Sequence, residues 1–183
     1  TEMKGIKEQL GQEKGTFSEI FEPGIRMALI IGICLAVFNN ITGWSAMAYY
    51  LPTLFKKGGF PNTVDAIYQF ALVNGWMVVL TFVSIFFVDR LGRRPLWILG
   101  SASMIVFLTL TGLVFQLNLQ GSFVLAVIFL CALSHATSLG PLPWFMMSEL
   151  YPTRIRARAV AITTTALWIA GWGAPFSFPI ISK

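Results

Sequence analysis

Four long stretches of the chain, residues 27–55, 66–88, 95–148 and 159–182, contain no Asp, Glu, Lys or Arg. Each reaches the roughly 20 apolar residues that a helix needs to cross a hydrocarbon core. They are too uniformly apolar for barrel strands, which alternate between lipid and lumen, and a backbone in hydrocarbon must otherwise satisfy its hydrogen bonds as a helix. The run 95–148 is too long for one crossing, and Gln116, Asn118, Gln120, Gly121 and Ser122 place a turn inside it. The pattern therefore predicts an all-α membrane protein of five transmembrane helices, at about 26–50, 66–88, 95–115, 122–148 and 157–181. Pro52 followed by Lys56-Lys57-Gly58-Gly59 is expected to end the first span, and Asp89-Arg90 the second. Gly171, Gly173, Pro175 and Pro179 predict an irregular last third of the fifth. Residues 1–25 read as a polar, amphipathic lead-in with a short helix around 4–13, and they offer no apolar core for a signal peptide.

Composition agrees with the pattern: 56% of residues are hydrophobic, 11% are charged, and the mean hydropathy is +0.72. Soluble and disordered classes are disfavoured, and a lipid bilayer is the expected surroundings. The net charge of +5 would suggest a nucleic-acid partner in a soluble chain, but here the cations flank spans, so no nucleic acid is expected. Ten of the thirteen cations fall on one side of the five-span topology, in residues 1–26 and in the loops around 90–94 and 154–158. The other side has Lys56, Lys57 and Lys183. The positive-inside rule then makes the N-terminus cytoplasmic in a plasma or bacterial inner membrane. Cys34 and Cys131 lie in apolar runs without metal-ligand spacing.

Three groupings interrupt the apolar pattern. Arg and carboxylate side chains face each other in the loops 88–95 and 149–156, where bidentate pairing can lock neighbouring helices and release them; plain topology anchoring is the alternative. In the first span, Asn39, Asn40, Thr42 and Ser45 put four hydrogen-bonding groups at membrane depth, which is costly unless they face a wet cavity or another helix. Asn40-Ile41-Thr42 fits a glycosylation sequon but is buried in the span. In the fourth span, Gly140, Pro141 and Pro143 free helix carbonyls and form a hinge. His135 precedes it and has two readings: a proton or substrate role, or a neutral imidazole bonded to Ser134, Ser138 or a backbone carbonyl. No metal cluster, nucleophile triad or phosphate-cradling loop is visible, so no enzyme activity, cofactor or metal is expected.

Several of these segments together carry a family resemblance. Asp89-Arg90-Leu91-Gly92-Arg93-Arg94-Pro95, Pro143-Trp144-Phe145-Met146-Met147-Ser148-Glu149-Leu150-Tyr151-Pro152 and Ser18-Glu19-Ile20-Phe21 resemble, in order and spacing, the C-terminal half of a sugar porter of the major facilitator superfamily. The resemblance covers helices seven to eleven and implies most of a C-terminal bundle, partnered by an N-terminal six-helix half. It implies a cytoplasmic charge network at Asp89, Arg93, Arg94, Glu149 and Arg156. It also implies sugar-facing roles for Asn39, Asn40 and Ser45, which stand where the family has two Gln and an Asn, and for Trp144 and Trp168. The family's polar residues near Met77 and Leu167 and its acid at Ala136 are missing, and Asn74 is placed to substitute for the first. The expected function is transport of a monosaccharide or polyol by alternating access, as facilitator or proton symporter. The alternative is a transporter-like structural subunit of a larger membrane assembly.

Overall fold

The computed structural model describes residues 22–181, with side chains through Phe176, so the lead-in helix expected around 4–13 lies outside the described residues. Seven α-helices follow in order: α1 (Pro23–Ile41), α2 (Trp44–Lys57), α3 (Thr63–Leu91), α4 (Arg93–Gln116), α5 (Ser122–Ser134), α6 (Leu142–Leu150) and α7 (Arg156–Ile181). A five-residue π turn, His135–Leu139, joins α5 to α6. They make five stretches long and apolar enough to cross a membrane: Pro23–Lys57, Thr63–Leu91, Arg93–Gln116, Ser122–Leu150 and Arg156–Phe176.

Two expected breaks are absent. Pro52 does not end the first span; α2 runs through it to Lys57 and stops at Gly58, whose N–H bonds the Leu54 carbonyl at 2.8 Å. Nor is the last third of α7 irregular, since the helix continues past Gly171, Gly173 and Pro175. A proline costs a span one backbone bond, and neighbouring groups can satisfy the freed carbonyls. In α7 the Pro175 carbonyl, which faces a proline four residues on at position 179, accepts the Tyr50 hydroxyl at 3.2 Å. The first span breaks instead at Thr42-Gly43, where Gly43 takes φ 91° and the Thr42 hydroxyl caps the Asn39 carbonyl at 2.6 Å.

In a bilayer the hydrophobic effect does not choose which helix faces meet, because lipid tails are as apolar as leucine; small residues and interhelical hydrogen bonds choose instead. The outward faces here are accordingly as greasy as the core, with Phe82, Phe86, Ile98 and Ile105 all exposed. Against α7, α1 presents Gly32, Ala36 and Asn40, spaced one helical turn apart and all buried. A Cβ on Gly32 would collide with the Tyr151 hydroxyl and Thr163 Cγ2, and one on Gly171 would lie 3.0 Å from Asn40 Oδ1. A second seam joins α4 to the end of α5 and the π turn. There Ser134 donates to the Gly100 carbonyl at 2.8 Å, Ser138 to the Leu96 carbonyl at 2.7 Å, and Gly100 has no room for a side chain beside Ser138. The main core cluster lies between these seams, around Trp44, Leu51, Phe55, Val73, Met104 and Ile128.

Candidate functional site

The break at Gly43 opens the first span midway along its length and lets the start of α2 turn toward α7. Asn40 near the end of α1 and Trp44, Ser45, Ala48 and Tyr49 of α2 line a cavity of about 400 Å³. Leu167, Trp168, Gly171 and Trp172 of α7 form its other wall.

Asn40 is 5% exposed and its amide is engaged on three sides. Its Nδ2 donates to the Leu167 carbonyl at 3.0 Å and the Ala36 carbonyl at 3.3 Å, while its Oδ1 accepts from the Ser45 hydroxyl at 2.9 Å. It therefore pins α1 to α7 and orients Ser45, leaving few bonds for a ligand. The other polar groups of the cavity are the indole N–H groups, the Tyr49 hydroxyl and the Ser45 oxygen. Flat aromatic faces with a donor at one edge suit a molecule that is apolar on one face and hydroxylated at its rim.

The other expected ligand residues are scattered. Asn39 is one residue, about 100° of helix, from Asn40, and its buried Oδ1 has no hydrogen-bond partner among the described residues. Thr42 opens onto a different cavity of about 260 Å³, with Phe38, Trp97 and Met104. Asn74 is exposed, donates to the Phe70 carbonyl at 2.8 Å, and lines a third cavity with Met77. Trp144 is 47% exposed on α6 and is absent from the wall that holds Trp168, itself 62% exposed. Trp44, Tyr49 and Trp172 were not singled out from sequence. For Tyr49 and Trp172 a signal existed, because each stands four residues along one helix from Ser45 or Trp168, hence on the same face.

His135 is not bonded to Ser134 or Ser138, whose hydroxyls go to the Gly100 and Leu96 carbonyls. Its Nδ1 is buried without a hydrogen-bond partner among the described residues, and its ring stacks on Trp44 with centroids 5.2 Å apart. The residues expected to form a hinge sit at the end of the π turn, which the Gly140 N–H closes by bonding the His135 carbonyl at 2.7 Å. Pro141 and Pro143 follow at the start of α6, where the missing N–H groups leave two more carbonyls without helical donors.

At the arginine-bearing end, Arg93 at the start of α4 pairs with Glu149 at the end of α6, both about half exposed. Arg156 Nε donates to the Tyr151 carbonyl at 3.2 Å rather than to a carboxylate. Asp89 and Arg94 are exposed and form no ion pair among the described residues. Tyr151, between α6 and α7, is 1% exposed, and burial pushes its phenol above the usual tyrosine range. Among the described residues no group of three or more His, Cys, Asp and Glu could hold a metal ion.

These features define a multi-pass helical membrane protein with a ligand-sized cavity at a broken helix and an ionic clasp between helix ends. The family profile described as sugar (and other) transporter matches residues 1–183. The chain is 38% identical over 173 residues to the arabinose-proton symporter of Bacillus subtilis, covering 93% of this chain and 37% of that protein. It is 34% identical over 177 residues to the major myo-inositol transporter of the same organism, covering 92% and 36%. The structure of the proton:xylose symporter XylE bound to 6-bromo-6-deoxy-D-glucose superposes with a TM-score of 0.79 at 31% identity, covering 96% of this chain and 37% of that one. The chain belongs to the sugar porter family of the major facilitator superfamily. It spans a little over a third of the length of the relatives it matches.

Proposed function

We propose that this chain forms most of the C-terminal helical bundle of an alternating-access transporter, moving a monosaccharide or related polyol together with a proton. The observation that carries the reading is the cavity at the Gly43 break, where aromatic faces and a few hydroxyl and indole groups meet near the middle of the bundle. Transporters of this kind place their sites at the interface of two rocking bundles, at interrupted helices. The missing wall would come from an N-terminal six-helix half, which would also carry the proton-accepting carboxylate, since the four apolar stretches of this chain hold none. Relatives named as arabinose-proton symporter and D-xylose-proton symporter support both the substrate class and the coupling.

In this reading Asn40 frames the site, while Ser45 and Trp168 face the ligand. Asn39, Thr42, Asn74 and Trp144 would reach it only when the partner half closes over the exposed faces. Gly140, Pro141 and Pro143 form the hinge. Arg93 and Glu149 form the core of a cytoplasmic latch, with Asp89, Arg94 and Arg156 available to it as the helices shift. The ten-to-three distribution of cations supports an N-terminus in the cytoplasm.

Uptake of labelled arabinose, xylose and myo-inositol by the whole transporter in liposomes tests the reading. Saturable uptake of at least one, accelerated by an inward proton gradient and abolished by a protonophore, is expected. Uptake indifferent to the gradient would replace symport by facilitated diffusion, and uptake of none would remove the function.

A further inference from the structure

We propose that Trp44, held in position by His135, determines which sugars or polyols the cavity accepts; this rests on the transport reading above. Trp44 lines the cavity between Asn40 and Ser45 yet is only 5% exposed, so an edge of the indole, rather than a freely swinging ring, meets the ligand. Behind it the imidazole of His135 lies nearly parallel, with an interplanar angle of 20° and centroids 5.2 Å apart. A ring backed this way cannot turn about its side-chain torsions without breaking the stack.

The backing is itself fixed from three directions. His135 is the first residue of the π turn, and its carbonyl is tied to the Gly140 N–H at 2.7 Å. Gly140 is the imidazole's neighbour on that side, since a Cβ there would meet its Cδ2 and Nε2 at 3.5 Å, an ordinary contact distance. On the α4 side, Ser134 and Ser138 bond the Gly100 and Leu96 carbonyls, which fixes the turn on that helix. The buried Nδ1 makes no hydrogen bond among the described residues, and what the ring offers Trp44 is a flat face. His135 is thus a positioning residue acting through Trp44, and the wall it holds belongs to the same cavity as Trp168.

Pentoses, hexoses and cyclitols are polyhydroxylated rings that differ by one or two substituents at the rim. Polar groups common to all of them cannot sort them, whereas the position of a rigid wall can. Sorting by a single carbon-sized group reaches at most about 10- to 200-fold, and a wall merely loosened should forfeit part of that.

The test compares kcat and KM for uptake of L-arabinose, D-xylose, D-glucose and myo-inositol by the whole transporter and its variants in liposomes. His135→Leu and Trp44→Leu are each expected to change the kcat/KM ratio between best and worst substrate by about fivefold or more, chiefly through KM. His135→Phe, which keeps an aromatic face, is expected to stay within about twofold of the wild type. An unchanged ratio in either folded leucine variant overturns the proposal, as does a phenylalanine variant as disturbed as the leucine one. If His135→Leu does not fold, Trp44→Leu and His135→Phe decide. A wild type that takes up none of the four overturns the transport reading and this proposal with it, whereas wild-type uptake with unaltered ranking overturns this proposal alone.

Discussion

The Asn40 amide bonds carbonyls on two helices and a hydroxyl on a third, whereas the neighbouring Asn39 buries an oxygen with no partner. Truncation should separate them. Asn40→Ala removes interhelical bonds worth about 0.6–1.7 kcal/mol each in membranes, so it is expected to cost about 1–2 kcal/mol. Asn39→Ala removes an unsatisfied acceptor and is expected to be neutral or slightly stabilising. Denaturation of the two variants in mixed micelles checks this; equal losses would mean that the bonds around Asn40 hold nothing together. Both asparagines were visible in sequence as polar groups at membrane depth, and the hydroxyls of Thr42 and Ser45 with them. Which amide was locked and which left open was not, because that depends on the Leu167 carbonyl, 127 residues away along the chain.

At the level of elements, apolar length and the turn residues near 118–121 were enough to divide the chain into helices, since hydrocarbon leaves a long apolar segment no other way to satisfy its backbone. Proline was the misleading signal. Its missing N–H reads as a stop, but in α2 and α7 it stands inside helices that continue, and the true break is at Gly43, where φ 91° excludes most other residues. Glycine also marks the seams. Gly32→Leu would drive a side chain into Tyr151 and Thr163 and is expected to cost about 1–3 kcal/mol. Gly112→Ala, with nothing within 4 Å, should be tolerated or gain up to about 1 kcal/mol of helix propensity. Thermal aggregation of the purified variants would rank them, and a Gly112 variant as damaged as the Gly32 one would contradict the packing described for α1 and α7.

Under the proposed alternating access, the quantity that matters for the whole transporter is the balance between two global arrangements of helix ends. The Arg93–Glu149 pair is half exposed, so it contributes at most about 1 kcal/mol, enough to change a two-state population by about fivefold but not to fix one state outright. Glu149→Gln in the whole transporter is therefore expected to raise cysteine labelling at the arginine-bearing end by up to about fivefold. The swap of Arg93→Glu with Glu149→Arg is expected to return it toward the wild-type level. A swap no better than the single variant would show that the pair itself is not what holds these ends together.

Sequence by itself determined the membrane as solvent, the number of spans and the side on which arginines gather, because these follow from hydrocarbon thickness and charge, which act on each segment independently. Its linked loop motifs pointed to the family. Only the tertiary structure decided that Asn40 is a clamp, that Trp44 rather than Trp144 shares a wall with Trp168, and that Arg93 is the partner of Glu149. In lipid every face of a span is apolar enough to point anywhere, so the choice of neighbours rests on a few glycines, serines and one asparagine whose effect exists only once two helices touch.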